Sequence, residues 1–369
     1  MKSDTLYIVL IIGSLVMPPA FVRASGDHFA VGFKMGEQGK DALHNIVFKL
    51  PRFKYLKENW GTSEELHDMM HRTQSTFPQY FQEIEGIAAG ADAAVEDIFL
   101  WNCRGDFPKE KANEIETAGC TDVLLAGKDG KSSTLAHNED GNVKLKNYCF
   151  VVRAHFNKKA KSPDIESYAY PGMLMGHTFA ANSHGLVLTI NHLPLYNPTK
   201  GVPRHFISRA ILDCATKEEA LEVIRKHGSS GSFNYNIGQV GESTLLSVEA
   251  PSGSFKVTEV RDRFTHANHC VWPEHDALRP PVEGSTAHRQ RRAEAILPQL
   301  TPNEAGAKKL LFDRSDADFP IMRDATGKDK GVATLATAVF RLNRKSVSWK
   351  FYGDDPDKAF RSGNFRLKT

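Results

Sequence analysis

From Gly32 to Phe48 and from Glu64 to Phe81, apolar residues recur every three or four positions, the spacing of helices with one buried face. The small-residue run Ala88-Ala89-Gly90-Ala91-Asp92 predicts a close-packed break. Glu96-Asp97 then opens another helical pattern, with acidic residues in the first turn and an apolar face beyond. Residues 105–117, with Pro108, Lys109, Glu110 and Lys111, read as a charged exposed loop. After Cys120 the pattern changes to short, partly alternating runs split by Gly, Asn and Pro. Predicted strands are 123–126, 132–136, 149–156, 167–170, 178–181, 186–191, 234–239, 245–250, 254–260, 334–342 and 346–352. Helical spacing interrupts them at Phe206–Ala215 and Lys217–Lys226, with Thr216 as the N-cap of the second. Ser285–Leu297 reads as a basic amphipathic helix whose His288, Arg289, Arg291 and Arg292 form a solvated face. Helices followed by interleaved strands and helices point to an α+β or layered α/β fold, with no internal repeat.

The first 24 residues change the picture of where the protein works. Lys2 precedes an apolar run from Leu6 to Met17, and Val22-Arg23-Ala24 offers small residues for cleavage. That run is too short to span a bilayer, so residues 1–24 read as a secretory signal peptide, with an uncleaved anchor as the alternative. Nothing later approaches a spanning segment, so the mature protein is expected to be soluble, without a membrane partner, and the signal peptide predicts a secreted or lumenal/periplasmic protein. A net charge of +3 with scattered Lys and Arg gives no case for nucleic acid. Five cysteines are an odd number for an exported chain, so at least one stays outside intrachain bridges. Cys120 is the candidate, leaving Cys103, Cys149, Cys214 and Cys270 for up to two bridges. No CxxC or zinc-type Cys/His spacing is present, so neither a metal nor another cofactor is expected.

The densest chemistry is Ala118-Gly119-Cys120-Thr121-Asp122, followed by a hairpin pattern that returns His137-Asn138-Glu139-Asp140-Gly141 beside it. Lys128-Asp129-Gly130 supplies the Asp-Gly pair of a two-residue turn. A glycine on the acyl side of the 119–120 bond lets a nucleophile approach its carbonyl closely. A free thiol, with a pKa of about 8.5, is mostly protonated near neutrality. If the chain cuts itself at Gly119–Cys120, the new α-amine, with a pKa of about 7.7–8.0, becomes a base beside the thiol. Residues 25–119 then form a helical pro-segment and residues 120–369 the catalytic part.

This junction resembles the acyl-coenzyme A:6-aminopenicillanic acid acyltransferase family of autoproteolytic cysteine N-terminal-nucleophile (Ntn) hydrolases. Upstream, Glu83–Ala91, Glu96-Asp97-Ile98 and Asn102-Cys103-Arg104 resemble the family's propeptide. Downstream, Ala181–Asn191, Gly201-Val202-Pro203 with Arg209, Phe233-Asn234-Tyr235 and Thr265-His266-Ala267-Asn268-His269 follow in the family's order. The resemblance implies a four-layer αββα sandwich and N-terminal catalysis by Cys120. It implies Asp140 as the carboxylate orienting the amine or thiol, with Asn138 as the partner in an N-x-D pair. Asn234 is implied as the oxyanion donor, with Asn191 second; Asn236 shares a strand face with Asn234 and is a further candidate. His137 stands where related enzymes carry an Arg, so it is a substrate-binding candidate only, together with Arg209 and His269. Asn268 and His269 are expected to make structural hydrogen bonds, while Ser247 and Glu249 match a family strand without an assigned step.

The resulting reading is a self-processing amidohydrolase or acyltransferase that attacks a small N-acyl amide and passes the acyl group to water or an amine, its two fragments staying associated. Export makes hydrolysis the favoured outcome. The alternatives are a Cys/His thiol peptidase that needs no cut, with His177, His184 or His192 as base, and a non-catalytic binding protein on the same scaffold.

Overall fold

The computed structural model describes residues 18–107, 119–128, 130, 132–194, 201–227, 230–251, 253–278 and 280–367. The fold is mixed α+β. Strand β1 (Ala20–Gly26) precedes five helices, α1 (His28–Asn45), α2 (Pro51–Trp60), α3 (Glu64–Thr76), α4 (Pro78–Ala91) and α5 (Val95–Asn102). Then come β2 (Cys120–Ala126), β3 (Ser133–Asn142), β4 (Phe150–Phe156), β5 (Ile165–Ala169), β6 (Phe179–Asn182) and β7 (Leu186–His192). Helices α6 (Arg204–Ile211) and α7 (Lys217–His227) lead to β8 (Phe233–Gln239), β9 (Leu245–Ala250), β10 (Lys256–Val260) and β11 (Arg263–His266). The chain ends with α8 (Gly284–Ile296), α9 (Glu304–Leu311), β12 (Val332–Leu342), β13 (Ser346–Tyr352) and β14 (Ala359–Arg366).

Two sheets result, ordered β1-β4-β5-β6-β7-β8-β9-β10 and β11-β2-β3-β12-β13-β14. All their pairings are antiparallel except β1 with β4. Strands β2 and β3 pack on β7 and β8 of the other sheet, α1 covers β1 and β4, and α9 covers β2, β3 and β12.

Several expectations change. Pro78 opens α4 at its first turn, so Glu64–Phe81 is two helices rather than one, because proline lacks the N–H an interior position would donate. Ala88–Ala91 lies inside α4, which ends one residue later at left-handed Asp92 (φ 49°). The hairpin after Cys120 closes through Gly127 N–H donating to the Ser132 carbonyl, a longer loop than the two-residue turn expected; Asp129 lies outside the described residues. Strand β3 continues well past Ala136, so His137–Asp140 is in the sheet rather than beyond it. All five cysteines are buried and none forms a disulfide.

At the N-terminus, the apolar run Leu6–Met17 lies outside the described residues, but Ala20–Gly26 is an edge strand with Ala20 opposite Phe150 and Gly26 opposite Phe156. A cut after Ala24 would strip most of that strand. The charged loop expected at 105–117 is described only to Phe107. Among the described residues no helix is long and apolar enough to cross a membrane.

Helices α1 and α4 cross with their backbones in contact. A β-carbon at Gly32 would stand 2.2 Å from the Glu83 carbonyl oxygen, and one at Gly86 2.2 Å from that of Phe29. The N-terminal helices share one core with the sheets: Val31, Ile84, Phe99 and Trp101 belong to the same apolar cluster as Phe150, Tyr168 and Phe206.

Candidate active site

Strand pairing builds the site. Cys120 begins β2 opposite Glu139 on β3, and Asp122 lies opposite His137. Side chains alternate along a strand, so these four share one face. That face looks toward the larger sheet, where Thr189 of β7 donates to Asp122 Oδ1. Thr121 and Asn138 point the other way. Asn138 donates to the carbonyls of Leu311 (2.7 Å) and Ile321 (3.3 Å) and accepts from Thr337 Oγ1 (2.7 Å). Its side chain is committed to packing α9 on the sheet and does not join Cys120.

The Cys120 thiol is buried and donates toward Glu139 Oε2 at 3.6 Å. The same oxygen meets His137 Nε2 at 3.2 Å, while His137 Nδ1 meets Asp122 Oδ2 at 2.9 Å and Tyr170 donates to Glu139 Oε1 at 2.6 Å. Burial and the Glu139 carboxylate push the thiol up to about 12, against the pull of His137. Burial alone would lower His137, yet the Asp122 carboxylate and the Cys120 sulfur outweigh it and hold the imidazole well above its usual value. A thiol held this high is protonated near neutrality, so ionising Cys120 requires an adjacent acceptor.

The peptide around Cys120 is gripped from both sides. Its N–H donates to Asn268 Oδ1 at 2.7 Å and its carbonyl accepts from Arg289 Nη1 at 2.6 Å. Arg289 Nη2 donates to the same Asn268 oxygen at 2.8 Å, and Nη1 also reaches Thr121 Oγ1 at 2.8 Å. Arg289 is therefore no solvated residue: it is 1 % exposed, and burial lowers its guanidinium to about 10, with Asp140 opposing. Its neighbours His288 and Arg292 do sit nearer solvent, paired with Asp316 and Asp313. Gly119 fits because a β-carbon there would lie 2.5 Å from Arg289 Nη2 and 2.9 Å from Asn268 Oδ1.

Asp140 is buried, accepts from Thr334 Oγ1 at 2.7 Å and faces Arg323 Nη1 at 3.6 Å. Burial raises its carboxyl while Arg323 pulls it back. Asp140 lines a cavity of about 70 Å³ together with Cys120, Glu139, Trp101, Arg104, Tyr170, His177, His205 and Phe233. The cavity thus takes walls from the helical N-terminal segment as well as from the strands.

The other candidates are spread more widely. Asn191, Asn234 and Asn236 form an amide cluster: Asn234 Nδ2 donates to Asn191 Oδ1 (3.1 Å) and Asn236 Oδ1 (2.9 Å), and Asn236 Nδ2 to Asn191 Oδ1 (3.0 Å). Ser247 caps Asn234 Oδ1 at 3.0 Å, and none of the three asparagines lines the cavity. Arg209 is buried in an ion pair with Glu83 of α4 (2.7 Å) and lies off the cavity, as does His269, which meets Thr286 Oγ1 at 2.8 Å. His177 and His192 line the cavity, whereas His184 is exposed. Cys120, His137 and Glu139 place sulfur, nitrogen and oxygen within 4.8 Å of one another, a geometry able to bind a metal, but these are the atoms of the thiol network itself.

The sequence model of the acyl-coenzyme A:6-aminopenicillanic acid acyl-transferase family matches residues 125–356, beginning five residues after Cys120. The chain belongs to this family. Among family relatives, the β-alanyl-dopamine/carcinine hydrolase of Drosophila melanogaster is 25% identical over 376 residues, covering 93% of this chain and 94% of its own. The 40 kDa form of acyl-coenzyme A:6-aminopenicillanic-acid-acyltransferase from Emericella nidulans is 25% identical over 356 residues, covering 92% and 94%. These relatives are amide hydrolases or acyltransferases, which supports an enzyme acting on a small amide here.

Proposed function

We propose that this acyltransferase-family chain cuts itself between Gly119 and Cys120 and then uses Cys120 as an N-terminal nucleophile on a small N-acyl amide. The observation that carries the reading is the grip of Asn268 and Arg289 on the two polar atoms of Cys120, at a Gly-Cys bond whose thiol faces Glu139. In the uncut chain the Cys120 nitrogen is an amide and cannot act as a base. Glu139 accepts the thiol proton, and Sγ attacks the Gly119 carbonyl carbon. Collapse breaks the C–N bond and leaves Gly119 as a thioester on Sγ, the proton held by Glu139 passing to the departing nitrogen, whose N–H donates to Asn268 Oδ1. Water hydrolyses the thioester, giving a Gly119 carboxylate and a Cys120 that carries both amine and thiol. Later turnovers repeat the attack on a substrate amide, with the α-amine as base.

The helix–sheet–sheet–helix packing is read as the αββα sandwich of the resemblance. The cavity's aromatic walls suit an amide bearing a ring, and its size suits a short acyl group. With the Drosophila relative named a β-alanyl-dopamine/carcinine hydrolase, an aminoacyl amide of an aromatic or imidazole amine, hydrolysed in an exported compartment, is the substrate class to try first. Acid-quenched mass spectrometry of the full-length protein mixed with such amides should find the acyl mass on the Cys120 peptide, and none with Cys120→Ala. An acyl-free Cys120 across a panel that is turned over refutes the thioester route.

One geometry favours a second reading. The Cys120 sulfur lies within 4.8 Å of a His137 nitrogen, and His137 Nδ1 meets Asp122, a thiol–imidazole–carboxylate series that needs no self-cleavage. His137, not His177, His184 or His192, is the imidazole beside the thiol in that reading.

A further inference from the structure

Glu249, at the end of β9, takes no part in the steps above, yet its carboxylate is buried at the centre of a cluster. Oε1 meets His266 Nε2 at 3.0 Å and the Val271 N–H at 2.6 Å, while Oε2 meets His275 Nδ1 at 2.9 Å. The Cys270 sulfur, a His275 nitrogen and a Glu249 oxygen lie within 4.8 Å of one another, all buried. Each imidazole turns its second nitrogen to a neutral oxygen: His266 Nδ1 to the Ala267 carbonyl (2.8 Å) and His275 Nε2 to Ser254 Oγ (3.3 Å). Metal-binding histidines are commonly oriented by such outer hydrogen bonds.

We propose that Glu249, Cys270 and His275 form a zinc site, with His266 holding the carboxylate from outside the ligand set and water completing the fourth position. Zinc bonds of about 2.0–2.3 Å place neighbouring tetrahedral ligands roughly 3.5 Å apart, so three ligand atoms within 4.8 Å of one another come into range by side-chain shifts, the Glu249–His275 pair opening from 2.9 Å. A thiolate and a carboxylate together neutralise the ion in this buried place, and the thiolate–imidazole pair selects zinc over magnesium or calcium. On binding, the Cys270 proton is released to solvent and the sulfur takes its place on the metal. Spacing along the chain hides the set, because Glu249 precedes His275 by 26 positions on a neighbouring element. The bound ion would brace the segment that carries Asn268, two residues before Cys270.

Full-length wild type, Cys270→Ser and Cys120→Ala, loaded with zinc and passed over a chelating resin, are compared for zinc by mass spectrometry and for cobalt(II) spectra. Wild type and Cys120→Ala should each retain one equivalent and show a thiolate-to-cobalt charge-transfer band. Cys270→Ser should bind roughly tenfold or more weakly and lack the band. If Cys270→Ser does not fold, the band in both other proteins carries the proposal. Wild type without stoichiometric metal, or a band lost in Cys120→Ala, overturns it.

Discussion

Glu139 faces Cys120 across one rung of the β2–β3 ladder, with its carboxylate shared among the thiol, His137 and Tyr170. Replacing it by glutamine keeps the shape and removes the proton acceptor, so Glu139→Gln should slow self-cleavage by about 10²–10⁴-fold, followed as loss of the full-length band. Asn268→Ala leaves the Cys120 nitrogen without its acceptor and should slow the same step. At this scale the sequence exposed what is local. Cys120 and Gly119 stand out because nucleophile and acyl-side glycine are adjacent. The resemblance points to Asp140, whereas Glu139 in the same returning stretch shares the thiol's face, because register to the single residue decides which of two adjacent carboxylates lies opposite Cys120. Asn268 and Arg289 reach Cys120 from 148 and 169 positions away, a proximity only the folded sheets create.

Among the elements, the sheet strands were the most legible, since alternation and turn residues are short-range signals; β13 matches its expected bounds fully. Strand β1 was missed because Ala20–Gly26 also fits the end of a signal peptide. An exported chain should therefore begin at or before Ala20, keeping β1 on β4, as N-terminal sequencing of the secreted protein can show; a start at Ser25 would mean the sheet tolerates its loss. Helix α8 was found, but the burial of Arg289 was not, because a charged face turned to the interior resembles one turned to water. The α1–α4 crossing makes a separate prediction. A methyl at Gly86 collides with the Phe29 carbonyl, so Gly86→Ala should destabilise the whole protein by about 1–3 kcal/mol in urea unfolding.

Across the whole molecule, the proposed pro-segment and catalytic part share a core and a buried charge cluster. Glu83 of α4 pairs with Arg209 and His28, Arg209 also pairs with Asp213, and Tyr80 donates to Asp213 at 2.8 Å. Arg209→Met leaves Glu83 charged and short of its partner, a loss of about 3–5 kcal/mol for such buried pairs. This interlock is why cleaved fragments should separate only in denaturant. Two other buried groups contribute to the acid limit. Burial, followed by Arg104, lowers His177 to about 3 and His205 well below its usual value. Below pH 6.5 the unfolded imidazoles take up protons that the folded ones refuse, so stability is full above that value and falls as pH drops toward 3. His177→Gln should flatten part of that slope in melting curves taken between pH 4 and 7.

Intact mass under denaturing conditions, on wild type and Cys120→Ala expressed from the full sequence, tests the central claim directly. Self-processing predicts a Cys120–Thr369 fragment in wild type and an uncut Cys120→Ala chain. A folded, active wild type that remains whole would contradict it and leave the Cys120–His137–Asp122 series as the mechanism.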